Sequence, residues 1–198
     1  MGAPCQRTHV LLISGLSCSG KSTLARNLAD HLSGEMIRMD DYYFETDQAD
    51  FASTNFDDPA MIDFELLTRH VSELRSGVPV QSPRYDFVEC RYTSFRLIEP
   101  TPILIVEGQY TGVNSGLLDL CDLSVYLDVS NEECLERRLQ RDCTEFGRTR
   151  EDSNSRFVER VIPAFDIHRS ALMRNSRLHL ASDSQRSWMT SVLSALYS

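Results

Sequence analysis

Gly15-Leu-Ser-Cys-Ser-Gly20-Lys21-Ser22 fits G-x-x-x-x-G-K-[ST] at every fixed position. Glycines at those places let backbone N–H groups converge on phosphate oxygens, and the start of the following helix adds partial positive charge. Lys21 would reach the β/γ oxygens as a flexible point charge, and Ser22 would ligate Mg²⁺. The residues expected around nucleotide phosphates are therefore Gly15, Ser17, Cys18, Ser19, Gly20, Lys21, Ser22 and Thr23. Lys21 is the only lysine, against 19 arginines. A planar, forked guanidinium does not easily replace a compact ammonium at this position. The pattern implies a nucleoside triphosphate site with Mg²⁺. The guanine-reading N-K-x-D pattern needs a second lysine, so it is excluded.

Two carboxylates have the chemistry to complete such a site. Asp40, in Met39-Asp40-Asp41-Tyr42-Tyr43, follows a predicted strand, at the end that faces the ligand crevice in open α/β sheets. There it can accept a proton from an acceptor hydroxyl and touch the metal. Glu107 follows Ile-Leu-Ile-Val and precedes Gly108, a place from which a carboxylate holds Mg²⁺ directly or through water. Read alone, Asp40 could equally start a loop or cap a helix, and Glu107 could be an ordinary strand terminus. Residues 40–65 carry nine Asp/Glu and no Lys/Arg. Such a stretch repels an anionic acceptor unless arginine arrives from elsewhere. It suits a neutral, polyhydroxylated one, whose hydroxyls can donate to carboxylates such as Asp57. A third cluster is Arg137-Arg138-Leu-Gln-Arg141-Asp142-Cys-Thr-Glu-Phe146-Gly147-Arg148. Arg138 and Arg141 share a helix face, and Gly147-Arg148 lie in a short loop that can hinge. Arginines closing over the phosphates would stabilise transferring charge and exclude water. Arg137 also reads as one half of an exposed i,i+4 pair with Glu133.

Short apolar runs alternate with amphipathic stretches, which predicts βα units around a mostly parallel sheet. Strands are expected at His9–Ser14, Met36–Met39, Ile103–Val106, Leu123–Val129 and Leu178–Ala181. Helices are expected at Lys21–Leu32, Ile62–Leu74, Asn131–Arg141 with Ser130 or Asn131 as cap, Ser153–Met173 bent by Pro163, and 184–197. A chain of 198 residues, 41% hydrophobic and 25% charged, can bury a proper core, and no linker divides it, so one domain spanning 1–198 is expected. Its formal charge of −9 makes it a poor partner for nucleic acid or anionic membranes. The six cysteines show no C-x-x-C pair, and no apolar run approaches a bilayer span. Reduced thiols in a cytoplasmic protein are the expectation.

Together these motifs resemble the uridine–cytidine kinase family of P-loop kinases. The resemblance rests on Gly15–Thr23, Asp40–Tyr43, Asn55-Phe-Asp-Asp-Pro59, Pro83–Val88, Ile105–Gly108, Arg137–Arg148 and Val161–Phe165. It implies a parallel five-stranded α/β core, a β-hairpin at about 78–98 over the acceptor, and an arginine-bearing lid at about 138–152. It also implies ATP as donor, Asp40 as base, and Ser22, Asp40 and Glu107 around Mg²⁺. Asp57 and Arg138 would hold ribose hydroxyls, Tyr43, Tyr85 and Phe87 would line the base pocket, and Arg141 and Arg148 would belong to the lid. Two positions depart from the family: Cys90 stands where a His reads the pyrimidine edge, and Phe146 stands where an Arg precedes the lid Gly-Arg. Asp40-Asp41 and Pro102–Gly108 are similar to nicotinamide riboside kinases as well. The resemblance permits a homo-oligomer. The expected activity is transfer of phosphate to the 5′-hydroxyl of a ribonucleoside, uridine or cytidine first. Nicotinamide riboside, another neutral metabolite, or a nucleotide-binding regulator without turnover are the alternatives.

Overall fold

A computed structural model of the chain describes residues 7–47, 55–181 and 184–197. Apolar and β-branched runs make the strands β1 (His9–Gly15), β2 (Glu35–Arg38), β5 (Ile103–Glu107), β6 (Leu123–Asp128) and β7 (Leu178–Ala181). They form one sheet in the order β2-β5-β1-β6-β7, and every pair is parallel. β1 lies in the middle and buries Val10–Gly15, as expected of a strand covered on both faces. The register sets Ile13 beside Glu107 and Glu107 beside Arg38, so β2 and β5 end level while β1 runs on to Gly15 beside β6.

Helices cover both faces. α1 (Lys21–Leu32) buries Leu24, Ala25 and Leu28, which recur at helical spacing, and ends at Ser33 in the left-handed conformation. The connection β2–β5 contains a 3₁₀ turn (Met39–Tyr42), α2 (Phe64–Arg75) and an antiparallel ribbon of β3 (Val80–Asp86) and β4 (Arg91–Ile98). α3 (Ser115–Leu120) leads into β6, and α4 (Asn131–Glu145) follows it, capped by Ser130, whose hydroxyl accepts from Glu133 N. α5 (Arg150–Arg156), a π-helical turn (Phe157–Val161) and α6 (Ile162–Asn175) run on continuously. α7 (Gln185–Leu196) closes the chain with Trp188 and Val192 buried.

Several boundaries differ from those predicted, each for a local reason. The second strand stops at Arg38, because Met39 already begins the 3₁₀ turn that carries Asp40. α2 starts two residues late: Asp63 Oδ1 accepts from Leu66 N as its cap, while Ile62 bridges to Tyr43. α4 continues to Glu145, past Arg141. The helix expected from Ser153 begins at Arg150, where Thr149 caps it. A π turn lies within it just before Pro163, which sits near the start of α6.

Candidate active site

The phosphate loop joins β1 to α1 and holds three residues at positive φ: Gly15 (148°), Cys18 (63°) and Gly20 (103°). Gly20 has a second reason to lack a side chain, since a Cβ there would come within 2.8 Å of Gln185 Nε2 and 3.2 Å of the Trp188 ring. α7 therefore buttresses the loop from behind, a support without a motif in the sequence. Lys21 is 8% exposed, and its Nζ donates to Leu16 O at 2.9 Å, leaving two N–H donors for a ligand. Ser19 Oγ is buried without a hydrogen-bond partner. An orphaned hydroxyl, an ammonium and a helix N-terminus in one loop suit a polyphosphate.

At the sheet edge Ser22 Oγ donates to Glu107 Oε1 at 3.0 Å, and Arg38 Nε lies 3.9 Å from the same oxygen. The Glu107 carboxyl is held above its usual range, by burial first and by the charge of Asp40 next, while Lys21, Ser22 and Arg38 pull it down. A buried carboxylate with a second carboxylate near enough to raise it, and a hydroxyl hydrogen-bonded to it, makes an oxygen set suited to a divalent cation. Among the described residues no three His/Cys/Asp/Glu side chains could hold an ion by themselves. Mg²⁺ fits that arrangement, because it takes most of its ligands from phosphates and water.

The charge of Asp40 also reaches Asp57. The Asp57 carboxyl is raised by burial first; Arg138 and Arg160 lower it, and Asp40 raises it further. Tyr110, almost fully buried, donates to Asp57 O at 2.7 Å and so fixes the 55–58 turn. Beside this turn Tyr43, Tyr85 and Phe87 form an aromatic group, as expected, and Phe56 joins it. Ring centroids are 5.3 Å apart for Tyr43–Phe87, 5.1 Å for Tyr85–Phe87, 5.6 Å for Tyr43–Tyr85 and 5.7 Å for Tyr43–Phe56. Tyr43 donates to Phe56 O at 2.7 Å and Tyr85 to Phe44 O at 3.3 Å. Cys90 is fully buried, and its thiol donates to Phe87 O at 3.7 Å, back into its own turn.

Two fastenings hold the 3₁₀ turn of Asp40 to its surroundings. Asp41, next to Asp40, accepts from Arg84 Nη1 at 2.7 Å. Tyr42 places its hydroxyl 2.9 Å from His70 Nδ1 and 3.2 Å from Ser82 Oγ, all in buried surroundings. The acidic stretch thus does receive arginine from elsewhere, as sequence separation had concealed.

On α4, Arg138 Nη1 donates to Ser17 Oγ of the phosphate loop at 3.2 Å. Arg137, besides its pair with Glu133, donates to Ser19 O at 3.1 Å, so its contacts are not only those of an exposed helix. Arg141 and Arg148 converge on Asp142 at 2.8 and 3.6 Å. Arg84, Asp142 and Tyr110 are the site's supporting residues that sequence reasoning passed over. Only Asp142 had a signal, as the carboxylate directly after Arg141 in an arginine run.

A sequence profile of the phosphoribulokinase / uridine kinase family matches residues 10–179. The chain belongs to that family. It is 34% identical over 171 residues to the uridine kinase of Shewanella frigidimarina, covering 81% of each chain. It is 36% identical over 167 residues to the uridine kinase of Pasteurella multocida, covering 79% of this chain and 77% of that one. Its fold is similar to a solved structure from Silicibacter sp. named for a fructose transport system kinase, with TM-score 0.71, 21% identity, and 90% and 92% of the two chains covered. The family member is thus a small-molecule kinase, a P-loop phosphotransferase with a five-stranded parallel core. Among the described residues no helix is long and apolar enough to cross a membrane.

Proposed function

We propose that the protein transfers the γ-phosphoryl group of ATP to the 5′-hydroxyl of a ribonucleoside, with uridine and cytidine as first acceptors. The observation that carries this reading is the Lys21 ammonium on Leu16 O and the Ser22 hydroxyl on Glu107 Oε1 in one place, with the turn that carries Asp40 following the strand paired to Glu107. A carboxylate so placed can take the hydroxyl proton as that oxygen bonds to the γ-phosphorus and the bond to the β-phosphate oxygen breaks, releasing ADP. Lys21 neutralises charge on the β/γ oxygens, and Arg141 and Arg148 do so from the lid. Ser22, Asp40 and Glu107 would hold Mg²⁺, which supplies charge neutralisation to the phosphates when bound. Asp57 and Arg138 grip the ribose hydroxyls, and Tyr43, Tyr85 and Phe87 present flat apolar walls to the base.

Two relatives named uridine kinase support pyrimidine acceptors. A second acceptor, nicotinamide riboside or another neutral metabolite, is favoured by Cys90, a weak donor whose thiol is turned onto Phe87 O. The deciding experiment is ADP release over a panel of uridine, cytidine, nicotinamide riboside, adenosine, pantothenate and simple sugars. Acceptor-dependent ADP with uridine or cytidine is the expected result. ADP formation with none of them would overturn the kinase assignment for these acceptors. A strong rate with a non-nucleoside alone would remove the ribose role of Asp57.

A further inference from the structure

Asp142 and Phe146 stand one turn apart at the end of α4, and Arg138, Arg141 and Arg148 each touch one or both. The Asp142 side chain has no exposed surface. It accepts from Ser153 Oγ at 2.5 Å, from Arg141 Nη2 at 2.8 Å and Arg141 Nε at 3.1 Å, and it pairs with Arg138 Nε at 3.3 Å and Arg148 Nη1 at 3.6 Å. Its carbonyl oxygen accepts from Phe146 N at 3.2 Å and Arg148 N at 3.1 Å, so the loop folds back on the helix end. Gly147 makes that return possible at φ 62°. Asp142 is in contact with all three guanidiniums and Glu145 adds a weaker attraction on Arg141, which still leaves a surplus of positive charge beside the phosphate loop.

Phe146 is 59% exposed, so its ring faces are open to the charged groups around it. Its centroid lies 5.5 Å from the Arg141 guanidinium carbon and 5.8 Å from that of Arg148, both inside cation–π range. The chemical alternatives at this position explain the ring. A second carboxylate would cancel the charge that a phosphoryl group needs, and an arginine, the residue of the family pattern, would add charge without attracting the other two. An aromatic face attracts both and neutralises neither. A guanidinium held over a ring keeps its in-plane N–H groups directed outward, where phosphate oxygens can accept from them.

We propose that Phe146 is a positioning residue that holds Arg141 and Arg148 as one pair for the γ-phosphate, with Asp142 fixing their other edge. The inference rests on the kinase reading. It is tested on the full chain with Phe146→Leu and Phe146→Tyr, reading kcat, both KM values, melting temperature, and the affinities for ATP and ADP by calorimetry. Phe146→Leu is expected to lower kcat about tenfold and to shrink the ATP-over-ADP preference about threefold. The acceptor KM and the melting temperature should stay put, because the ring is exposed and pairs with arginines rather than with the aromatic group. Phe146→Tyr, which keeps the face, should retain most of both quantities. Wild-type kcat and nucleotide preference in Phe146→Leu would overturn the proposal, as would Tyr proving as damaging as Leu. If the wild type releases no acceptor-dependent ADP, the kinase reading fails, and the affinity ratio still decides the role of Phe146.

Discussion

Eight consecutive residues, Gly15–Ser22, make the phosphate side of the site. The acceptor side, as proposed, would take Asp40 and Tyr43 from the turn after β2, Asp57 from the turn that Tyr110 pins, Tyr85 and Phe87 from the ribbon, and Arg138 from α4. On the first side the chemistry is stored in backbone torsions and a helix start, so a short peptide stretch nearly determines it. On the second it is stored in contacts between segments far apart in sequence: Asp41 with Arg84, and Tyr42 with His70 and Ser82. The lesson is a division of labour. The contiguous side sets what is transferred, and the assembled side sets what receives it and can vary without losing the reaction.

That division predicts graded consequences. The largest falls on the phosphate side: Lys21→Ala should lower kcat/KM for ATP about 10³-fold, since one preorganised charge at the transferring group is removed. Steady-state kinetics with ATP varied is the check, and near-normal turnover would erase the contrast between the two sides. Asp40→Asn, at the boundary, should lower kcat at least about 10²-fold while ATP still binds by calorimetry. If both fall together, Asp40 is serving the phosphate side alone.

Arg84→Ala tests the assembled side. It leaves the nearly buried Asp41 with weaker partners, which should cost about 1–2 kcal/mol in chemical denaturation. The acceptor KM should rise several-fold while the KM for ATP stays constant. Equal rises in both would show that the ribbon and the loop are not separable.

The smallest effect is on stability against pH. Burial, the largest influence, holds His70 below its usual 6.5, with Arg69 adding to the lowering and Glu73 opposing it. The proton therefore prefers the unfolded chain. Stability from this group is complete above about 6.5 and is lost as pH falls through that value toward the lower folded one. His70→Gln, which can keep a hydrogen bond to Tyr42, should flatten this part of the denaturation-against-pH profile. An unchanged slope would assign it to another group.

Much of the site was legible because its signals are local. The phosphate loop needs its glycines in order, and Asp40 and Glu107 follow apolar strands that the register then sets side by side through Arg38. Helix ends were read less well. Asp63 and Thr149 caps compete with apolar periodicity, and periodicity alone placed the starts at Ile62 and Ser153. The acidic run of 40–65 was read correctly as composition and incompletely as environment. Part of it, 48–54, lies outside the described residues, and the arginine opposite Asp41 comes from 43 positions away.

By itself the sequence determined the phosphate chemistry, the parallel βα order and the presence of a lone ammonium among guanidiniums, because periodicity and a contiguous motif survive without knowledge of the fold. Only the tertiary structure decided that Asp142 gathers three arginines, that Phe146 stacks two of them, that Cys90 is turned inward and that α7 backs the loop at Gly20. Those facts depend on burial and on distances between remote segments, and a carboxylate in an exposed helix face and one in a desolvated cage are spelled identically.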